Sequence, residues 1–279
     1  MALDLPCGRE GPGRPGGTAL YAAITARRMG RRPAIFTAFG PEFQPPEELR
    51  DIPVQTASSD QTTTFEICEE RTARNLWLVS RAADLHTNAV PSAWRGAVVV
   101  HLAPICGEVD ILAFDHLHAQ FVGATIQGWL RRFGSDGRVT PSADTVGQLP
   151  LGRLDAVVLS PTDLDPTGSV GRRAAAALDL LRARVRIVAL TRGANGSTIY
   201  SAGGSTEVPP WPAEARDTVG AGDVYAAALF IKLAEGADPL QSARFASCVA
   251  GLSVEGDGWS RIPNRGPADH ILGSSTWAT

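Results

Sequence analysis

The sequence predicts a three-layer α/β protein with a mostly parallel central sheet. Short apolar runs, typical of strands that are covered on both faces, alternate with helical segments along most of the 279 residues. Such alternation favours parallel strands joined by crossover helices. Neither repeats nor a low-complexity linker interrupts the pattern, so we expect a single domain over residues 1–279.

Composition and charge exclude several classes of protein. Apolar residues form 44% of the chain and charged residues 20%, as in ordinary globular proteins with an ample core. A net charge of −3 gives no reason to expect nucleic acid as a partner. The sequence has no membrane-length apolar run and no signal peptide, so we expect a cytoplasmic protein. The four cysteines lack metal-ligand spacing and are expected to be reduced thiols: Cys7, Cys68, Cys106 and Cys248.

The chain begins with a segment rich in glycine and proline that ends in Gly16-Gly17. A literal GxGxxG pattern occurs over residues 11–16, but its two prolines remove amide donors that a dinucleotide site would need. A helix is predicted over residues 18–29, with Gly30 at its C-cap. The glycine pair at the start of this helix can therefore present amides to an anion or a hydroxyl group.

Alternating strands and helices follow. Strands are predicted over residues 34–37, 62–67, 76–79, 97–102, 121–127, 154–160, 186–190, 197–201 and 206–209. Helices are predicted from about residue 110, over 169–184, from 224 to the breaker Gly236, and over 239–254. Gln127 and Arg131 lie at the C-terminal end of one strand, where an open α/β sheet places its ligand contacts.

The most informative stretch is residues 217–223, which opens the apolar helix that begins at Val224. A Gly220-Ala221-Gly222 turn at a helix start exposes several amides, and the helix dipole adds partial positive charge there. Asp223 places a carboxylate beside this anion cradle, an arrangement that suits phosphoryl transfer with the carboxylate as proton acceptor. The alternative is a capped helix with a tight glycine turn and no chemical role.

Residues 217–223, Asp-Thr-Val-Gly-Ala-Gly-Asp, resemble the C-terminal signature of the PfkB/ribokinase family of sugar and nucleoside kinases. The stretch departs from that signature only at Val219, where threonine or serine is usual. Gly16-Gly17 resembles the family's N-terminal signature, a turn that binds the phosphate acceptor. The resemblance extends from residue 16 to about 262 and implies a ribokinase-like core with a small β lid inserted at about 54–80.

The resemblance implies transfer of the γ-phosphoryl group of ATP to a hydroxyl of a small sugar or polyol. Asp223 would be the general base, and the amides of Gly220, Ala221 and Gly222 would stabilise transition-state charge. The residues expected on the acceptor side are Asp4, Gly16, Gly17, Tyr21, Arg74, Gln127 and Arg131. Those expected on the nucleotide side are Thr191, Gly193 and Gly196 in a Thr-x-Gly-x-x-Gly turn, together with Ser247 and Gly258.

Two of these acceptor residues have alternative interpretations. Tyr21 stands where many family members carry asparagine, which suggests a different acceptor. Arg74 matches an arginine common in the family's lid, but it could equally be a solvated arginine on a hairpin. A small-residue face on the helix after residue 239, including Ser247, would let a flat adenine pack closely.

Ser160-Pro161-Thr162-Asp163 resembles the family's Asn-x-x-Glu motif, which orders magnesium and phosphate through water. The resemblance implies that Asp163 helps to hold a hydrated Mg²⁺, an ion that needs only one or two carboxylates. For Ser160, a place in an N-capping Ser/Asp cluster ahead of the helix at about 169–184 is an equal alternative. Asp217 would help to bind a monovalent cation such as K⁺, as in many relatives.

Short motifs suggest which small molecule accepts the phosphoryl group. Residues 103–108 and 126–131, with the serine-initiated metal motif, resemble the myo-inositol kinase branch, which makes a cyclic polyol the first candidate. Ribose-type sugars and nucleosides follow, and the protein is expected to be a monomer or a homodimer. A relative that binds a sugar or nucleotide without turnover is the alternative, because residues 1–4 leave little room for the family's first strand. Either the sequence begins inside a longer chain or the sheet lacks an interior strand.

Overall fold

The structure is a computed structural model that describes residues 1–8, 11–69, 74–110 and 117–274. Its α-helices are α1 Thr18–Arg28, α2 Pro161–Leu164, α3 Arg172–Arg184, α4 Ala221–Ala234, α5 Pro239–Ser253 and α6 Arg265–Ser274. The helix expected from about residue 110 falls largely outside the described residues. Within the described ranges, none of the helices combines the length and apolar character that crossing a membrane requires.

The nine predicted strands are present in the predicted order, with bounds that differ by one or two residues at most positions. Five further strands, for which the sequence predicts no bounds, bring the number in the described residues to fourteen. The fourteen strands are β1 Ala2–Pro6, β2 Arg14–Gly16, β3 Ile35–Ala38, β4 Val54–Ala57, β5 Thr64–Glu69, β6 Arg74–Ser80, β7 Val99–Leu102, β8 Phe121–Thr125, β9 Arg131–Phe133, β10 Val139–Pro141, β11 Ala156–Leu159, β12 Ile187–Thr191, β13 Ser197–Ser201 and β14 Gly204–Val208.

A six-stranded sheet with the order β14-β13-β12-β11-β8-β7 forms the centre of the molecule. Its β7, β8, β11 and β12 run parallel, and β13 and β14 add an antiparallel hairpin at one edge. Ala156 and Val158 of β11 face the core cluster that includes α1, α4 and α5, whereas Val157 packs in the cluster of α3. Because successive strand residues point to opposite faces, the sheet is covered on both sides, and the three-layer prediction is confirmed.

Helix α4 is the most deeply buried helix of the core. Every residue from Val224 to Ile231 is buried, as expected for a helix that is apolar all round. Phe230 packs against the sheet so closely that a Cβ added to Gly123 of β8 would lie 2.5 Å from its ring. This close approach fixes the height of α4 above the sheet and therefore the position of its N-terminus.

A second sheet, with the order β2-β1-β5-β6, covers one end of the core. Its β1 pairs in parallel with β5 and antiparallel with β2. The predicted lid range of about 54–80 is therefore divided, because β4 pairs instead with β3 while β5 and β6 join the N-terminal strands. The first residues of the chain do form a strand, β1. It belongs to the β2-β1-β5-β6 sheet, which we call the lid sheet, and not to the central sheet.

The prediction that all four cysteines are reduced thiols is wrong for two of them. Cys7 and Cys68 form a disulfide, whereas Cys106 and Cys248 are buried free thiols, and burial raises the pKa of each to about 12. The register explains the bond, because Pro6 pairs with Ile67 and the Cys7 N–H donates to the Ile67 carbonyl at 3.0 Å. The two cysteines are 61 residues apart in sequence, so only the pairing of β1 with β5 brings them together.

Replacement of Cys7 by serine should lower the free energy of unfolding under oxidising conditions. The disulfide closes a loop of 61 residues, and the chain-entropy model assigns such a loop about 4 kcal/mol. Chemical denaturation of both proteins, with and without a thiol reductant, measures the difference. Reductant should shift the wild-type midpoint toward that of Cys7→Ser and leave the variant unchanged; equal midpoints without reductant would contradict the assignment.

Candidate active site

A cavity of about 530 Å³ lies between the lid sheet and the C-terminal ends of the parallel strands. Gly17, at the start of α1, lines it from one side. Gly220, Gly222 and Asp223, at the start of α4, line it from the other. The two glycine turns singled out in the sequence therefore open into the same cavity, and two helix N-termini converge on it.

The packing of Tyr21 against Gly220 brings these turns together. Gly220 has a φ of 78°, and a Cβ at this position would lie 2.4 Å from the Tyr21 ring, so both conformation and space require glycine. Tyr21 is itself buried, and its ring meets the Trp259 ring edge-on at a centroid distance of 5.9 Å. Tyr21 lines the cavity but serves first as the support of the α4 turn.

The Asp223 carboxyl group stands at the centre of a polar cluster. It is hydrogen-bonded to the hydroxyl of Thr18 and interacts with the charges of Arg131, Asp163 and Asp4. Burial is the largest influence and raises the pKa of Asp223 to about 6, with the neighbouring acids adding to the rise and Thr18 and Arg131 opposing it. A carboxyl group with a pKa this close to neutrality is suited to accept a proton.

A chain of hydrogen bonds runs along the cavity wall from Asp223 to Arg131. The Gln127 Nε2 donates to the Thr18 Oγ1 at 3.2 Å, and the Arg131 Nη2 donates to the Gln127 Oε1 at 3.1 Å. Arg131 also donates to the Ile105 carbonyl at 2.7 Å and lies 5.2 Å from the centroid of the Phe65 ring. The guanidinium is thus held as a fixed positive charge beside two carboxylates.

Asp4 enters the cavity from β1 of the lid sheet. A Cβ added to Gly16 would lie 2.5 Å from the Asp4 Oδ2, so the carboxylate rests against the first glycine of the N-terminal turn. Asp4 thereby faces the same space as Gly17, Gln127 and Arg131. Gly16 itself does not line the cavity but makes room for the carboxylate that does.

Asp163 lines the cavity at the start of the short helix α2. Its Oδ2 accepts a hydrogen bond from the Ser160 N–H at 2.7 Å and another from the Ser160 Oγ at 3.0 Å. Ser160 is therefore the N-cap of α2 and forms a capping box with Asp163, whereas the helix expected at about 169–184 is α3, whose N-cap is Gly171. Burial raises the pKa of Asp163, with Arg131 opposing the rise.

Asp163 is a residue of this cavity that could hold a metal ion such as Mg²⁺. That ion takes hard oxygen ligands and keeps several waters, so one half-buried carboxylate matches its requirements. Among the described residues, the one group of three side chains at metal-ligand distances is Cys7, Glu66 and Cys68, which lies outside this cavity and whose two cysteines are joined in the disulfide. The described part of the cavity therefore provides an anchoring carboxylate for the ion and not a complete protein cage.

Asp217 has a clear role in holding the α4 turn. Its Oδ1 accepts from the Val219 N–H and its Oδ2 from the Gly258 N–H, both at 2.9 Å. The N–H groups of Arg216 and Asp217 donate to the Val254 carbonyl at the end of α5. Gly258, with a φ of 53°, is thus the partner of Asp217 in fixing the turn, and neither residue lines the cavity.

The residues predicted for the nucleotide side separate into two groups. Thr191 lines the cavity, and its hydroxyl donates to the Leu159 carbonyl at 3.2 Å. Gly193 and Gly196 shape the turn after β12 with positive φ values, and Ser247 lies in α5 beneath the segment after β14; none of the three lines the cavity. The side chain of Arg74 lies outside the described part of the chain.

The sequence analysis does not identify Thr18 as a residue of the site, yet it contacts both Asp223 and Gln127. Its place directly after Gly16-Gly17, in the first turn of α1, is the signal that the sequence offers. Ala221, in contrast, is expected at the site but does not line the cavity, and its amide donates to the Thr218 carbonyl at 3.2 Å.

Comparison with known proteins finds a family model that matches part of the chain. Residues 155–264 match the family model described as pfkB family carbohydrate kinase. The bifunctional protein HldE of Nitrobacter winogradskyi is 35% identical over 185 residues, which cover 56% of this chain and 37% of that protein. The chain therefore matches little more than a third of the length of that curated relative.

Two solved structures of pyrophosphate-dependent kinases in the ribokinase family show the same fold. A sulfate complex superimposes with a TM-score of 0.76 and 18% identity and covers 96% of both chains. A complex with a pyrophosphate analogue and myo-inositol gives a TM-score of 0.74 and 19% identity, covering 97% of this chain and 96% of the other. Residues 155–264 thus resemble the PfkB family in sequence, and the similar structures show that the chain has the ribokinase fold.

Proposed function

We propose that the protein transfers the terminal phosphoryl group of a polyphosphate donor to a hydroxyl group of a small sugar or polyol. The convergence of Asp223 and the two glycine turns on one cavity is the observation that carries this proposal. Asp223 accepts the hydroxyl proton as the acceptor oxygen attacks phosphorus. The amides of Gly220 and Gly222, at the positive end of α4, stabilise charge on the transferred group.

The acceptor half of the cavity favours a compact polyhydroxylated ligand. It presents Asp4, Gln127 and Arg131, with Asn75 and Arg138 from the lid side, against the apolar Phe65, Ile67 and Ile105. Such a ring of acceptors and donors around an apolar patch matches the equatorial hydroxyls and C–H faces of a cyclic polyol. A myo-inositol-like polyol is the first candidate, supported by the myo-inositol complex of a similar fold, with pentoses and nucleosides behind it.

ATP is the donor that the family resemblance predicts, and pyrophosphate is the second candidate because the similar folds above use it. Mg²⁺ bound with the donor would neutralise phosphate charge. Asp163 would hold that ion through water, and Arg131, whose charge acts on Asp163, would supply further positive charge for the phosphate groups. For Asp217, a role in K⁺ binding stays a proposal next to its contacts with the turn.

A protein that binds ligands without turnover is the alternative from another class. The altered magnesium motif and Tyr21 first suggested it. The structure offers Tyr21 a supporting role and gives Asp223 a pKa near neutrality, and both observations favour turnover. A phosphate-transfer screen with polyols, pentoses, hexoses and nucleosides as acceptors, and with ATP and pyrophosphate as donors, separates the two. Product with any acceptor excludes the binding-only protein.

Asp223→Asn should abolish most turnover while leaving the donor bound. Removal of a general base typically costs about 10²–10⁴-fold in rate, whereas the amides that hold phosphate stay in place. The variant should be at least as stable as the wild type at pH 8, because a raised pKa means that ionisation of Asp223 disfavours folding there. Steady-state rates, donor titration and thermal unfolding measure the three quantities.

Asp179→Asn is the matched control for this variant. Asp179 is an exposed carboxylate on α3, with 73% of its side chain accessible, and it lies far from the cavity. It should keep wild-type rates. Wild-type turnover by Asp223→Asn would show that another group accepts the proton.

The pH dependence of kcat/KM should report the Asp223 carboxyl group. Its pKa of about 6 means that the proton-accepting form is complete above about pH 7 and is lost as pH falls through about 6. We expect a plateau at pH 7 to 8 and a decline of about tenfold per pH unit below about 5.5. Donor binding over the same range serves as the control. A rate that stays level down to about pH 4.5 would exclude this assignment.

A further inference from the structure

The face of α5 that the sequence offers to an adenine ring is covered by Trp211. A Cβ added to Gly251 would lie 2.6 Å from the Trp211 Cβ and 2.8 and 2.9 Å from its Cδ1 and Cγ. The Trp211 N–H donates to the Ser247 Oγ at 3.2 Å, and that hydroxyl donates to the Pro209 carbonyl at 3.2 Å. The small residues of α5 thus make room for an indole of the same chain.

The segment that carries Trp211 is held at both ends. On the side of β14, a Cβ at Gly196 would lie 2.2 Å from the Val208 carbonyl oxygen and 3.0 Å from Pro209 and Pro210, so the turn after β12 packs directly against it. Two consecutive prolines fix the backbone before Trp211. On the other side, the amides of Arg216 and Asp217 are bonded to the Val254 carbonyl. Trp211 is therefore held in a fixed position against α5.

The cavity includes the start of α4, where phosphate would bind, but it does not extend to the face of α5 that Trp211 covers. Its lining residues include the polar Ser160, Thr162, Thr167 and Thr191. Ser247, Gly251 and Trp211 are not among its lining residues. Helix-start amides are ligands for phosphate oxygens, but neither they nor these polar side chains provide the apolar slot that a purine needs.

We infer that Trp211 selects a donor without a nucleoside, namely inorganic pyrophosphate, an inference that rests on the proposed function. The acceptor oxygen bonds to one phosphorus of pyrophosphate as the bond from that phosphorus to the bridging oxygen breaks. Orthophosphate leaves with the electron pair of the bond, and the hydroxyl proton passes to Asp223. Trp211 closes the space in which an adenosine would continue.

Donor selectivity of Trp211→Ala tests the inference. Initial rates are measured with pyrophosphate and with ATP as donor, at a fixed concentration of the acceptor identified in the screen. The wild type should have a kcat/KM for pyrophosphate at least tenfold above that for ATP. In Trp211→Ala the ratio should fall at least tenfold, because the indole no longer fills the purine space. Trp211→Phe keeps an aromatic cover and should keep the preference.

Trp94→Ala is the matched control, since this tryptophan lies in a short helical turn at Ser92–Trp94 outside the cavity. It should leave the donor ratio unchanged. A wild type that prefers ATP, or a ratio that does not change in Trp211→Ala, overturns the inference while the kinase proposal stands.

If no acceptor is phosphorylated with either donor, the kinase proposal fails, and calorimetric titration with pyrophosphate and with ATP decides the inference instead. Tighter binding of pyrophosphate by the wild type, together with a gain in ATP affinity in Trp211→Ala, supports it. Tighter binding of ATP by the wild type overturns it. Because titration needs no catalysis, it also decides the case in which Trp211→Ala folds but does not turn over.

Discussion

The contact of the Tyr21 ring with the bare backbone of Gly220 is the constraint on which the site depends. A side chain at Gly220 would overlap the ring, and the φ of 78° also requires glycine there. Because the contact is so close, the N-termini of α1 and α4 lie side by side. Thr18 in the first turn of α1 then reaches Asp223 in the first turn of α4, and both helix dipoles act on one cavity.

That geometry concentrates negative charge at a cost to stability. The Asp4, Asp163 and Asp223 carboxylates approach one another, and burial and mutual repulsion raise the pKa of Asp223. Arg131 offsets part of the repulsion, and its hydrogen bonds to Gln127 and Ile105 keep it in place. A cation bound beside these carboxylates would offset the repulsion that Arg131 leaves.

The features that depend on local sequence pattern were predicted correctly. Buried runs such as Ala156–Leu159 gave the parallel sheet, and the glycines at 220 and 222 marked the start of α4. The sequence could not give contacts fixed by tertiary register. The Cys7–Cys68 bond needs β1 to pair with β5, and the role of Thr18 needs α1 to meet α4, so neither follows from spacing along the chain. Nor could it show that β4 pairs with β3 instead of joining the lid.

The small-residue face of α5 shows where pattern reasoning ends. Ser247 and Gly251 correctly indicate that something flat packs closely on this helix, because only small residues permit such an approach. They carry no information about whether the flat group is a ligand or a side chain. The Pro209-Pro210-Trp211 segment supplies the answer, since prolines fix its path and the indole meets the glycine. A glycine in a helix face therefore predicts close contact, and the occupant has to be identified from the chain that crosses it.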